Sequence, residues 1–157
     1  MGKVQKTFKN IIPGQISRAI DDIVITFPNV SGAEIAFGAP VFLDSAKGGV
    51  EGFKANAGMT TFVGVATRIG PKTPNVYGSD IAVYNANEGV SVITRGSVGV
   101  LVVGTAIPAV GGKVYLDSNG NFTADATGNT ELTNCKFREC YGTNGCAEIV
   151  ITSRNIQ

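Results

Sequence analysis

The sequence of 157 residues contains no histidine and no tryptophan, and only 16% of its residues are charged. Without histidine, neither a Ser-His-Asp triad, a Cys–His pair nor a histidine-containing metal site can form. The formal net charge is only +1, so composition gives no electrostatic case for direct binding of nucleic acid. A charge density this low indicates instead that another molecule covers part of the surface.

The number and spacing of the three cysteines argue against a zinc site and against a disulfide framework. Four residues separate Cys135 from Cys140, and five separate Cys140 from Cys146, which is not a C-x-x-C pattern. Three thiolates without a fourth ligand make a weak zinc site, and an odd number argues against a fully paired disulfide framework. We therefore predict reduced cysteines, no metal site and no cofactor.

Long apolar runs are also missing. No stretch approaches the roughly 20 apolar residues that a membrane-spanning helix needs. The N-terminus, MGKVQKTFKN, lacks the apolar core of a secretion signal. We therefore expect no membrane partner and no secretory route.

Strand patterns fill much of the chain. The segment VSVITRGSVGVLVV at 90–103 alternates β-branched residues with polar or small ones, which predicts a half-buried strand with Arg95 on its polar face. Gly96 in its middle predicts a bend or bulge. Residues 23–27 are also predicted to form a strand, whereas 16–22 show helical spacing and stay unassigned. Shorter strands are predicted at 40–43, 62–69, 113–116 and 147–153.

One phrase occurs twice, as GAPVFLDSAKGG at 38–49 and as GGKVYLDSNG at 111–120. In each copy an aspartate follows strand residues and precedes a glycine-containing turn, where its side chain can bond backbone amides. Asn119-Gly120 is a hairpin-turn signal because both residues tolerate positive φ. The favoured interpretation is two related β-hairpins. The alternative, a catalytic pair formed by Asp44 and Asp117, requires the two carboxylates to converge.

The first fifteen residues mix basic and apolar side chains ahead of Pro13-Gly14. Such a segment is typical of an arm that is loose alone and becomes ordered on a partner, the alternative being a frayed terminus. Fully extended, it reaches about 50 Å. We therefore divide the chain into a flexible arm at 1–15 and a β-rich domain at 16–157. The candidate binding residues of the arm are Lys3, Lys6, Phe8, Lys9, Ile11 and Ile12.

Four pieces of the sequence, in their order, resemble the cement or head-decoration proteins of tailed bacteriophages. They are PGQISRAIDD, EIAFGAPVF, FVGVATRIGPKT and YNANEGVSVITRGSVGVLV, and the similarity runs from about residue 13 to residue 120. The most specific piece is GVSVITRGSVGV, which follows a tyrosine-containing loop. The last part of the chain, with its three cysteines, departs from the pattern.

The resemblance implies a small, single-domain β-barrel or two-sheet all-β fold and a virion structural role. It implies binding to the major capsid protein on the capsid exterior, stabilisation of the expanded head, synthesis in the host cytoplasm and no enzymatic activity. It also suggests a homotrimer, although other members of the family bind as monomers. The competing hypothesis is a β-barrel module that binds carbohydrate or another small ligand through Asp44 and Asp117, or through exposed Tyr77 and Tyr84.

Overall fold

The computed structural model describes residues 11–53, 61–68, 83–141 and 145–154, with the backbone alone at 19–20 and 140–141. Within these residues the secondary structure is all β, which confirms the predicted fold class. A nine-stranded sheet contains every strand except β2 and β6, which pair with each other. The strands are β1 (Ile16–Pro28), β2 (Ile35–Ala36), β3 (Pro40–Asp44), β4 (Gly49–Glu51), β5 (Phe62–Ala66), β6 (Val83–Tyr84), β7 (Gly89–Val103), β8 (Lys113–Leu116), β9 (Phe122–Thr123), β10 (Thr130–Tyr141) and β11 (Cys146–Ile151).

The C-terminal half of β7 belongs to a closed barrel. It pairs antiparallel with β11, which pairs with β10, and β10 continues through β8 to β9. The ring closes where β9 pairs parallel with β7, at Val102 and Phe122. We call this ring the C-terminal barrel. Its interior is apolar and almost fully buried, with Val98, Val100 and Leu132 among the core residues, so burial of these side chains drives its closure.

The N-terminal half of β7 lies in a second ring, which we call the N-terminal ring. Here β7 pairs with β1 on one side and with β5 on the other, and β5 continues to β3 and β4. The ring returns to β1 through one isolated bridge, between Asn29 and Val50. A separate apolar cluster fills it, including Val41, Val50 and Val90.

The side chain of Asn29 holds the loop after β1 in place beside the bridge to Val50. The residue is only 1% exposed. Its amide nitrogen donates to the carbonyl oxygens of Ala33 and Asn85, at 2.8 and 3.0 Å. Its amide oxygen accepts from the backbone nitrogen and hydroxyl of Ser31, at 3.1 and 2.7 Å. The buried amide is thus fully hydrogen-bonded, as a buried polar group must be.

The two rings meet at Gly96, where the predicted bend is found. Its φ is +119°, a conformation open to glycine but strained for other residues. Opposite it, β1 bulges, because Arg18 pairs with Ser97 while Ile23 pairs with Arg95. The bulge brings the Asp22 carboxylate so close to Gly96 that a Cβ atom there would clash with it. Glycine is therefore required by both conformation and space.

The predicted strands are found at their expected places, but β5 ends at Ala66 and β11 at Ile151, short of the predicted ends at 69 and 153. Residues 16–22, left unassigned by sequence, are extended and belong to β1.

The predicted burial also needs correction. The expectation of a half-buried β7 is wrong, because Ser91, Ile93 and Ser97 are buried as well as the β-branched face. The reason is that β7 is shared by two rings and has packed neighbours on both faces. Arg95 is exposed as predicted.

The repeated phrase forms two hairpins. The first copy gives the β3–β4 hairpin, with Leu43 opposite Val50, and the second gives β8–β9, with Leu116 opposite Phe122. The expected turn chemistry needs one correction. Gly120 has a φ of +81°, but Asn119 is not among the described residues with positive φ. Asn119 instead donates its backbone amide to the Asp117 carboxylate at 2.8 Å, so the aspartate organises the turn.

Candidate functional site

The root of the arm is attached to the domain. Gly14 donates its backbone amide to Gly99 at 2.9 Å, and Gly99 donates to Gln15 at 2.9 Å. On the other side, Arg68 donates its backbone amide to Gly14 at 2.7 Å. Ile11 is 4% exposed and packs on the bare backbone of Gly99, where a Cβ would clash with it. The last residues of the proposed arm are thus held against β7.

The six candidate residues of the arm divide into two groups. Lys3, Lys6, Phe8 and Lys9 lie outside the described residues. Ile11 is buried in the domain, whereas Ile12 is 41% exposed. Ile11 therefore attaches the described part of the arm to the domain, whereas the side chain of Ile12 is accessible to another molecule.

A charged cleft of about 510 Å³ opens beside Gly96. The side chain of Arg18 crosses from β1 to the barrel and binds Glu148 at 3.0 Å and Glu139 at 3.1 Å. Glu148 is only 1% exposed and also accepts from the Ser17 hydroxyl at 2.7 Å. A buried carboxylate needs such partners, because desolvation without them would be costly. The cleft therefore ties the bulge of β1 to β11 and β10.

Two more arginines line the charged cleft. Arg95 pairs with Asp21 at 2.7 Å, and Arg138 donates to the Ser97 hydroxyl at 3.0 Å. Asp22 has one carboxylate oxygen that is buried without a hydrogen-bond partner among the described residues. Burial raises the pKa of Asp22, a backbone hydrogen bond at Ser97 opposes the rise, and the neighbouring Asp21 charge adds to it. Because most of its acidic and basic groups are paired, we interpret the charged cleft as a structural connection between β1 and the C-terminal barrel.

The two aspartates of the repeat are each engaged in their own turn. Asp44 accepts from the backbone amide of Lys47 at 3.1 Å. Asp117 accepts from the backbone amides of Asn119 and Asn121, both at 2.8 Å. Partial burial would raise the pKa of Asp117, but these bonds and the Asn121 side chain outweigh it and lower the pKa. Asp117 is thus held as a carboxylate, which is unsuited to a general acid.

Of the other sequence candidates for ligand binding or reactivity, those with described side chains are buried. Tyr84 is 3% exposed and donates its hydroxyl to the Thr67 carbonyl at 2.6 Å, so the expectation of an exposed Tyr84 is wrong. Tyr77 lies outside the described residues. Cys135 and Cys146 are free thiols. Burial raises the pKa of both, and a protonated thiol is a poor nucleophile and metal ligand. The side chain of Cys140 is outside the described part.

Sequence reasoning missed the charged cleft. The Arg18–Glu148 pair joins residues separated by 130 positions, and no local pattern connects them. An acidic residue within the apolar run AEIVI is the one available signal, because a charge in a buried strand needs a partner. In the described ranges, no three acidic or cysteine side chains are grouped to hold a metal ion. Nor does any helix there have the length and apolarity to cross a bilayer.

These features define a class: a small all-β structural protein whose polar clusters join strands together. The family model of the structural cement protein (E217 gp24/Pam3 gp6) matches residues 2–152. The chain therefore belongs to the structural cement protein family, which confirms the resemblance drawn from its sequence and gives it a virion structural role. A comparison with curated proteins gave no match.

A solved structure shares the fold. A chain from the capsid of Myoviridae Phage XM1 superposes with a TM-score of 0.71 at 24% sequence identity. The match covers 96% of this chain and 95% of the other. The similarity thus extends over the barrel, the N-terminal ring and their junction, and supports the arrangement of strands described above.

Proposed function

We propose that the protein binds the outer surface of the phage head through the major capsid protein and stabilises the expanded head without catalysing a reaction. The observation that carries the proposal is the family match over residues 2–152. A cement acts by binding the assembled state, and ligands that bind one state alone stabilise it by mass action. We further propose assembly as a homotrimer, which would let one bound unit contact several capsid subunits.

The attachment of residues 11–15 supports a role for the arm. A binding arm can hold neighbouring subunits together only if its root is fixed to a folded body. Here the root is fixed by backbone hydrogen bonds to Gly99 and Arg68 and by buried Ile11. The mixed basic and apolar residues ahead of it, Lys3, Lys6, Phe8 and Lys9, together with Ile12, would supply electrostatic attraction and apolar contact.

The test compares expanded heads with and without the purified full chain. We expect the protein to co-sediment with the heads and to raise the temperature at which they release DNA. Deleting residues 1–9, which spares buried Ile11, should leave the melting temperature of the protein unchanged and weaken head binding at least tenfold.

A matched control is Lys47→Gln, which removes a lysine outside the arm whose side chain is 55% exposed; it should bind heads like the unaltered chain. If the full chain neither binds expanded heads nor protects them from heat, the cement function is refuted. If only the deletion is without effect, the role of the arm is refuted. Light scattering of the free protein checks the trimer.

A further inference from the structure

The loop between β7 and β8 is free of charge and exposes apolar side chains. It comprises residues 104–112, GTAIPAVGG, in which Thr105 is the only polar side chain. Ile107 is 86% exposed and Val110 is 76% exposed, more than the other large apolar side chains of the described chain. A single exposed apolar residue is ordinary, but two residues three positions apart on one uncharged loop offer apolar area that burial against a partner would stabilise. We call this segment the apolar loop.

The apolar loop is held in shape at its C-terminal end. Gly111 donates its backbone amide to the Phe137 carbonyl at 2.7 Å, and Phe137 donates to Gly112 at 3.0 Å. Gly112 also donates to Ala109 at 2.8 Å. Gly111 has a φ of +77°, and Pro108 has a restricted φ. Because Phe137 is a core residue of β10, the barrel itself presents Val110, and docking requires little additional ordering of the chain.

The apolar area of the loop argues against a pair of copies held together by this loop alone. A stable pairwise interface buries roughly 800 Å² on each side. One isoleucine and one valine fall far short of that area, so the apolar loop alone could not hold two copies of this chain together. It suits a multipoint attachment in which other contacts, such as the arm, supply the rest. Its lack of charge fits an apolar recess and offers nothing to an acidic or basic surface.

We propose that the apolar loop is a second capsid-binding element, in which Ile107 and Val110 insert into an apolar recess on the exterior of the major capsid protein. This inference rests on the proposed cement function and adds a contact site that is separate from the arm in sequence. The arm would attract the capsid surface through its basic residues, whereas the apolar loop would contribute a contact whose C-terminal end is already held in shape by the barrel. Binding through both the arm and the apolar loop would fix the orientation of the protein on the capsid surface.

The experiment measures binding of the full chain and of I107S/V110S to expanded heads that lack the protein. We expect binding to weaken at least tenfold, because the loss of two buried aliphatic side chains exceeds that threshold. The melting temperature should stay within about 2 °C, because exposed substitutions rarely affect folding. The matched control is Val24→Thr, which changes an apolar side chain that is 41% exposed on β1 and should leave binding unchanged.

The outcomes separate the two proposals. If the unaltered chain binds heads and I107S/V110S binds within twofold of it, the apolar loop is excluded and the cement function stands. If the unaltered chain does not bind, both proposals fall. If the variant keeps head binding but loses self-association in light scattering, the loop contacts a second copy and the proposal is wrong. Should I107S/V110S unfold, a photo-crosslinking amino acid at position 107 decides: a crosslink to the major capsid protein supports the proposal, and its absence on decorated heads overturns it.

Discussion

The C-terminal barrel and the N-terminal ring share β7 but are closed by different means. The barrel closes by strand pairing, from β11 at one side of β7 to β9 at the other. The ring closes by a single backbone bridge between Asn29 and Val50, and the side chain of Asn29 bonds to Ala33 and Asn85 beside it. The comparison shows that a small sheet can be closed either by a continuous strand ladder or by one bridge whose residue is fixed by a well-bonded buried amide. In the second case, we expect the position of the bridge to depend on one side chain.

The largest expected effect comes from breaking the ring at that side chain. Asn29→Ala removes the four hydrogen bonds that the buried side chain makes with Ser31, Ala33 and Asn85 and leaves a small cavity in their place. We expect a loss of about 3 kcal/mol in the free energy of unfolding, measured by urea denaturation. Hydrogen exchange should accelerate first at the amide of Val30, which bonds to Val50 at 2.9 Å, before amides of the barrel respond.

The matched control lies at the end of the barrel. Asn134 is only half-buried and donates one side-chain bond, to Ser153 at 2.9 Å. Asn134→Ala should therefore cost about 1 kcal/mol or less. Equal losses for the two substitutions would contradict the conclusion that the Asn29 side chain supports the closure of the ring.

A smaller effect is expected at the junction of the two rings. Gly96→Ala adds both backbone strain and a clash with Asp22, so we expect a loss of about 2 to 3 kcal/mol. The control Gly128→Ala adds backbone strain without a clash, because Gly128 has a φ of +74° and open space where a Cβ would lie. It should lower the free energy of unfolding by about 1 kcal/mol.

Combining Gly96→Ala with Asp22→Ala tests whether the Asp22 carboxylate is the group that clashes with a Cβ at position 96. If the Asp22 carboxylate causes the clash, the double variant should recover part of the stability lost in Gly96→Ala, as measured in a double-mutant cycle. Simple additivity of the two single substitutions would mean that the bulge of β1 moves aside, and that the rings are joined less tightly than their geometry indicates.

The smallest effect distinguishes two carboxylates by their pH dependence. The native pKa of Asp22 is raised above 3.8, so this group favours folding below that pH and opposes it as pH rises through the native pKa. The native pKa of Asp117 is lowered, so its contribution is present above 3.8 and is lost as pH falls through the native value. The junction and the barrel turn therefore respond to acid in opposite directions.

Asp22→Asn should be stabilised relative to the unaltered chain at about pH 7 and not at about pH 3, whereas Asp117→Asn should be destabilised at about pH 7 and less so at about pH 3. Urea midpoints at the two pH values measure both. The same sign of change for the two variants would show that the environment of one carboxylate is misassigned.

Local features were predictable from sequence, and long-range ones were not. The bend at Gly96, the strand at 113–116 and the paired hairpins follow from alternation and turn residues within a few positions. The burial of the Asn29 side chain depends on partners as distant as Asn85, and no local sequence pattern connects the two residues. The burial of Ser91 and Ser97 depends on β7 having packed neighbours on both faces. The site residues of the arm stay a prediction, except that Ile11 is seen to be buried.

The attachment of the arm to Gly99 has a mechanical consequence. Gly99 lies on β7, in the segment that is also paired with β11. A pull on the arm would pass along the chain into β1, and through its pairing with β7 into β11. Hydrogen bonds between strands pulled along their length are loaded in shear and must break together, whereas strands peeled apart break one bond at a time. A pull directed along β1 would therefore be shared by the hydrogen bonds of several neighbouring strands.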